Sequence, residues 1–149
     1  METELSIIVP AFNEEGNLTE TVGSLETLIE SHMLNAEILI VDDAGTDNTL
    51  VEAQNLTKEY KNVKALHKGL PRGLGTGIRF AIRHARGKAA VVVMADHVDP
   101  IEAIPEIRNK IIEEGYHLVV LSRWTNRSDT MNIPFSCKFY QKIFRILSR

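Results

Sequence analysis

The chain has 149 residues, 44% of them hydrophobic and 25% charged, which is enough for one domain with its own core and is ordinary globular usage. That composition excludes a collagenous, fibrous or largely disordered chain, and the formal charge of −3 lacks the overall basic excess that marks a nucleic-acid partner. Cys137 is the single cysteine, so no internal disulfide or zinc cluster is expected and a reducing compartment fits. The opening Met1-Glu2-Thr3-Glu4 is acidic where a secretory signal is basic, and no run reaches the ~18 apolar residues that span a bilayer. The expectation is therefore a cytoplasmic chain whose membrane contact, if any, is peripheral or lies in a segment not present here.

In chain order, Leu5-Ser6-Ile7-Ile8-Val9 is a short β-branched run ending at Pro10 and reads as a strand. Leu18, Val22, Leu25, Leu28 and Ile29 then recur at helical spacing, with Asn17 placed to cap the helix. A second strand covers 36–41 before Asp42, a helix about 49–60, a third strand 63–67 and a helix about 75–85. The apolar run 89–94 reads as a central strand. Pro100 opens a helix carrying Ile104, Ile107 and Ile111, which Gly115 ends before a fifth strand at 118–121. Short apolar strands alternating with amphipathic helices predict one α/β domain over 1–149, its mainly parallel sheet covered on both faces and joined by right-handed crossovers.

In such a sheet a ligand binds beyond the carboxyl ends of the strands. Those ends carry Asn13-Glu14, Asp42-Asp43, Asp96-His97-Val98-Asp99 and Ser122-Arg123. An Asp-rich loop such as 42–49 is commonly made of turn and cap residues, Asp47 capping the next helix. At a strand end, however, a carboxylate can also accept from a ribose or base, or help hold a hard cation. Pro10 and Phe12 can floor a nucleobase site while Glu14 accepts from its polar edge, although Glu14 and Glu15 also suit a helix N-terminus. In Gly69-Leu70-Pro71-Arg72-Gly73-Leu74-Gly75-Thr76-Gly77, three glycines at alternate positions precede a helix. They match neither the dinucleotide fingerprint nor a P-loop, but Arg72 can approach a diphosphate. Asp96, with His97 or Asp99, stands where a divalent cation would bridge that diphosphate; a surface loop histidine is the ordinary alternative for His97.

The segment Ser6-Ile7-Ile8-Val9-Pro10-Ala11-Phe12-Asn13-Glu14-Glu15-Gly16-Asn17-Leu18 resembles the opening of family 2 glycosyltransferases, whose fold is the Rossmann-like GT-A. Ile40-Val41-Asp42-Asp43-Ala44-Gly45-Thr46-Asp47-Asn48-Thr49 resembles the second signature of that family. Pro71-Arg72-Gly73-Leu74-Gly75-Thr76-Gly77, His84-Ala85-Arg86-Gly87 and Leu121-Ser122-Arg123-Trp124 are similar to stretches of its polyprenyl- and dolichyl-phosphate mannose synthases. The resemblance implies an inverting transfer of mannose or glucose from a GDP- or UDP-hexose to a polyprenyl or dolichyl phosphate, at the cytoplasmic face of a membrane, with Mg²⁺ or Mn²⁺. It further implies that Pro10, Phe12, Glu14, Ile40 and Asp42 contact the nucleoside, that Asp43 lies near the diphosphate and metal, and that Asp96 and Arg123 act in catalysis. Ala95 would lie beside the substrate.

The chain departs from that pattern in two places. Met94-Ala95-Asp96 stands where the family has Asp-x-Asp, so the first acid is missing and Asp96, aided by Asp43 and by His97 or Asp99, is left to hold the metal. The sequence also stops after Leu147-Ser148-Arg149, earlier than the family's catalytic domain, which implies a truncated acceptor region. These departures keep open an inactive nucleotide-sugar-binding domain, or a family member acting on a soluble acceptor. Over 134–149, Phe135, Phe139, Ile143 and Ile146 recur beside Lys138, Lys142, Arg145 and Arg149. This predicts a basic amphipathic helix that packs on the fold or lies on an anionic membrane.

Overall fold

The structure, a computed structural model, describes residues 2–121. The chain divides into two compact units, Met1–His117 and Leu118–Arg149; Arg123, Trp124 and the basic segment 134–149 lie outside the described residues. The first unit runs β1 (Leu5–Ala11), α1 (Leu18–Ser31), β2 (Ala36–Asp42), α2 (Thr49–Glu59), β3 (Val63–His67), α3 (Leu74–Ile82), β4 (Ala89–Val92), a 3-10 turn (Ile101–Ala103) and α4 (Ile104–Ile112). The four strands form one parallel sheet in the order β3-β2-β1-β4. Among the described residues no helix is long and apolar enough to cross a membrane.

The sheet takes this form because β1 is buried along its whole length and β2 at every position after Ala36, as strands covered on both faces must be. Successive side chains point to opposite faces, and the two layers follow that alternation. Leu5, Ile7, Val9, Ile38 and Ile40 join Leu18, Val22 and Leu25 of α1, Ala53 and Leu56 of α2 and Ile104 of α4 in the larger core. Ile8, Leu39 and Val41 face the other way and pack with Ala81 of α3. The chain moves outward from β1 to β3, then α3 carries it back to β4 on the far side of β1. The strand order thus reverses at β1, the kind of switch point beside which open sheets bind ligands.

Three predicted details differ. Asn17 occupies the cap position of α1, but its side chain makes no cap hydrogen bond. Its amide donates to Glu14 Oε2 at 2.8 Å, and Glu52 of α2 accepts from the Thr19 N–H at 2.9 Å instead. The fourth strand ends at Val92, two residues early: the Val93 N–H still donates to Ile8 O at 2.9 Å, but the next donor on β1 would be Pro10, which has no N–H, and the Met94 N–H is taken by Asp99 Oδ2 at 2.8 Å. No strand forms at 118–121. A strand exists only when its backbone is paired, and in that second unit Leu118, Val120 and Leu121 are exposed.

Near the amino ends of the strands a buried carboxylate fastens three segments. Glu37 accepts from Ser6 Oγ at 2.8 Å, Lys64 Nζ at 2.6 Å and the Arg86 N–H at 2.6 Å. The Gly87 N–H donates to Ser6 Oγ at 2.9 Å. A Cβ on Gly87 would meet the backbone nitrogen of Ser6 at 2.5 Å, so this turn admits only glycine. Burial by itself raises the Glu37 pKa, but the hydrogen bonds from Lys64, Arg86 and Ser6 and the Lys64 charge outweigh it and leave the carboxyl below the ordinary glutamate value. A pKa lower in the folded than in the unfolded chain stabilises at pH above the unfolded value and ceases to do so as pH falls through the folded one. Glu37→Gln should therefore lower stability at pH 7 by about 1–3 kcal/mol, with the gap to wild type closing below about pH 4. Urea unfolding from pH 7 to pH 3 checks this; a gap independent of pH would contradict it.

Candidate nucleotide site

Because β1 and β2 pair in parallel with Ala11 opposite Asp42, the loops that follow them emerge side by side. The Asp43 N–H donates to Ala11 O at 2.9 Å, and beyond that point the loops are laced together by side chains. Asn13 Oδ1 accepts from the Thr46 N–H at 2.8 Å, and the Glu14 N–H donates to Thr49 Oγ1 at 2.8 Å. Glu15 accepts from the Asn48 amide at 2.7 Å, while the Glu15 N–H donates to Asp47 Oδ2 at 3.1 Å. Gly16 and Thr19 donate their N–H groups to the two oxygens of Glu52, at 2.7 and 2.9 Å. The Thr49 hydroxyl, then the backbone donors of Thr49 and Glu15, hold the Asp47 carboxyl below its usual value. For Glu52, burial raises the pKa but the Thr19 and Gly16 donors lower it further. Glu15, Asp47 and Glu52 are thus committed to building the loops.

Asp42 is buried, accepting from the Gly45 N–H at 3.1 Å and lying 2.6 Å from Nδ1 of His67. Asp43 faces the cleft, yet both of its oxygens are engaged: Lys68 Nζ donates to Oδ1 and the Gly73 N–H to Oδ2. Burial pushes the Asp43 pKa up, but the Lys68 and Gly73 hydrogen bonds and the charges of Lys68 and Arg72 overcome it and keep the carboxyl low. Asp43 is therefore an anion at neutral pH with its charge answered from within the fold.

The resulting cleft, about 500 Å³, opens at the carboxyl ends of β1 and β2 and is walled by Pro10, Phe12, Glu14, Val41, Asp43, Arg72 and Met94, with α3 supplying Leu74 and Gly77. The guanidinium carbon of Arg72 lies 5.1 Å from the centre of the half-exposed Phe12 ring, within reach of a cation–π attraction. An apolar ring, a flat cation and a buried anion around an open cleft suit a ligand with an aromatic base and a phosphate.

Of the residues marked in the sequence, Pro10, Phe12, Glu14, Asp43 and Arg72 come together in this cleft. Ile40 does not: it is fully buried in the α1–α2 core layer, and its neighbour Val41 points to the cleft instead. Asp42 is turned to Gly45 and His67, and Ala95 is buried with its carbonyl accepting from Thr21 Oγ1 at 3.0 Å. Asp96 and His97 are exposed, His97 Nε2 lying 3.2 Å from Thr21 Oγ1, and Asp99 holds the Met94 N–H. The four residues expected to hold the metal, Asp43, Asp96, His97 and Asp99, do not form a preassembled cluster. Asp43 and Asp99 already hold internal donors, the soft Met94 thioether lines the cleft, and among the described residues no three His, Cys, Asp or Glu side chains gather around a cation position. Lys68 escaped sequence reasoning because its signal lies in the strand register: Asp42 pairs with His67 across β2 and β3, so the next residues, Asp43 and Lys68, stand side by side.

Comparison with known proteins identifies the family and the fold. The family model for glycosyl transferase family 2 matches residues 6–147. A dolichol-phosphate mannosyltransferase of Pyrococcus furiosus is 32% identical over 139 residues, 93% of this chain and 38% of that protein. A dolichyl-phosphate beta-glucosyltransferase of Trichomonas vaginalis is 32% identical over 131 residues, 82% of this chain and 41% of that one. The chain spans less than half the length of these curated relatives. Among solved structures, a Pyrobaculum calidifontis mannosyltransferase in complex with GDP-Man and Mn²⁺ superposes with a TM-score of 0.59 at 22% identity, covering 74% of this chain and 32% of its own. S. aureus TarS in complex with UDP-GlcNAc superposes with a TM-score of 0.54 at 22% identity, covering 83% of this chain and 38% of its own. The sheet and its helices are those of a GT-A fold, and the chain belongs to glycosyl transferase family 2.

Proposed function

We propose that this chain is the nucleotide-sugar-binding half of an inverting hexosyltransferase that uses a GDP- or UDP-hexose, mannose or glucose, and a polyprenyl or dolichyl phosphate. The observation that carries this reading is the cleft at the carboxyl ends of β1 and β2, where Phe12 offers a stacking face and Arg72 a cation beside the Asp43–Lys68 pair. The relatives named for transfer to dolichol phosphate support the acceptor class, as the neighbours carrying GDP-Man and UDP-GlcNAc support the donor class.

In this mechanism the base lies against Phe12 and Pro10, the edge of the base meets Glu14, and the diphosphate reaches Arg72. An ionised oxygen of the lipid phosphate attacks the anomeric carbon from the face opposite the diphosphate. The new carbon–oxygen bond forms as the old one breaks, and the bonding electrons leave on the diphosphate oxygen with inversion at carbon. The acceptor is already an anion at neutral pH, so no protein base has to remove a proton. The contribution of the protein is orientation and the neutralisation of growing charge on the leaving group. Arg72 supplies that charge within the described residues, and Arg123 is assigned to the same task outside them. Among the described residues no three metal-ligating side chains are gathered, and no step is routed through a cation.

A second reading has one observation in its favour: Met94, at the position where the family has an acid, lines the cleft, as it would in a domain that binds nucleotide sugar without turning it over. The two readings share their binding behaviour and separate on product. Incubation with a radiolabelled GDP- or UDP-hexose and polyprenyl phosphate should give an extractable lipid-linked sugar under the first; binding without product establishes the second.

Two outcomes follow for binding itself. Phe12→Ala should weaken GDP or UDP by about 1–3 kcal/mol, the scale of losing an aromatic stacking face, without a change in the thermal midpoint. Calorimetry checks it, and unchanged affinity would remove the base from this wall. EDTA should leave nucleotide binding in place because Arg72 answers the diphosphate. Binding seen only with Mn²⁺ would show that a cation site is completed by other residues or by the nucleotide.

A further inference from the structure

The loop between β3 and α3 has the composition of a phosphate loop, yet its shape is fixed by an internal cation. Lys68 is buried, and its ammonium donates to Asp43 Oδ1, to the Gly69 carbonyl at 3.2 Å and to the Pro71 carbonyl. An ammonium has three protons, so all of its donors are matched by these three oxygens. Lys68 has no proton left for a ligand. The loop closes around it: the Lys68 N–H donates to Asp42 O at 2.8 Å, the Gly73 N–H returns to Asp43 Oδ2, and Thr76 Oγ1 donates to Gly73 O at 2.6 Å. Gly73 sits at φ +139, outside the range that side chains favour. Between these fixed points stands Arg72, exposed and carried over the Phe12 ring.

We propose that Lys68 is the positioning residue of this cleft: through Asp43 and the two loop carbonyls it holds segment 69–73 so that Arg72 is presented to the diphosphate of the ligand. The proposal rests on the nucleotide reading above and adds a division of labour to it. Arg72 meets phosphate, while Lys68 never does. A buried ammonium removed from its carboxylate leaves an unanswered charge, and here that charge, Asp43, faces the cleft and would repel the phosphate that Arg72 attracts. Loss of Lys68 therefore acts on phosphate recognition twice, by freeing the loop and by baring an anion. It leaves untouched the Phe12 and Pro10 surfaces that would meet a base.

The test is calorimetric titration of the whole chain with GDP and UDP, and with guanosine and uridine, for wild type, Lys68→Met, Lys68→Arg, Arg72→Met and the double variant Lys68→Met/Arg72→Met. Lys68→Met should weaken the nucleoside diphosphate about 10- to 100-fold, the loss expected when charge-assisted hydrogen bonds are removed, while nucleoside affinity stays within about threefold. Lys68→Arg should recover most of the loss. The double variant should bind worse than Arg72→Met only by the repulsion of the bared Asp43, and so by less than the product of the two single losses, because the loop effect acts through Arg72 alone. A general loosening of the domain would lower nucleoside and diphosphate affinity together, and independent roles would multiply; either result overturns the positioning role, as does diphosphate affinity within twofold of wild type in Lys68→Met. A wild-type chain that binds neither diphosphate nor nucleoside overturns the nucleotide reading itself, and the proposal with it.

Discussion

Everything in this molecule depends on the parallel register between its first two strands. Parallel strands cannot be joined by a hairpin; each must be followed by a crossover, so their carboxyl ends lie at one edge of the sheet. Pairing Ala11 with Asp42 brings the two sequence signatures, about thirty residues apart, into one structure. The Asp43 N–H to Ala11 O bond is its first tie, and the hydrogen bonds accepted by Asn13, Glu15 and Glu52 are the next. A slip of one residue would turn Ile7, Val9, Ile38 and Ile40 to the wrong layer. The apolar core thus enforces the register on which the cleft relies.

The same edge carries many carboxylates, and the structure solves their repulsion by giving most of them internal donors. Glu15, Asp47 and Glu52 accept from loop backbones, Asp42 from Gly45, and Asp99 from Met94. Each such bond lowers the cost of holding a charge away from water. Asp43 faces the cleft, and it is neutralised by a buried lysine. Arg72 therefore faces its ligand over a floor whose negative charge is already answered, which is the condition for it to attract phosphate.

Most of the fold was legible in the sequence because both layers of the core are written in local patterns. The third strand lies where Val63–His67 was expected, and α1 covers the Leu18 to Ile29 periodicity. What escaped was whatever depends on a partner distant in the chain. Asn17 has the chemistry of a cap, but Glu52 from another helix takes the donor. The apolar run 118–121 has the composition of a strand, without a paired neighbour among the described residues. Ile40 and Val41 are equally apolar, and only the phase of the strand decides that Val41 reaches the cleft. Lys68 carried no motif at all; its meaning comes from the register that sets it beside Asp43.

The most direct measurement of the central claim is a nuclear magnetic resonance titration of the isotope-labelled chain with GDP and with UDP. If the edge beyond β1 and β2 is the nucleotide site, amide shifts should concentrate at Phe12, Asp43, Arg72, Gly73 and Met94, and leave the groove between Glu4, Met33 and Arg108 at the other end of the sheet unmoved. Shifts centred on that second groove, or spread evenly over the sheet, would contradict the assignment.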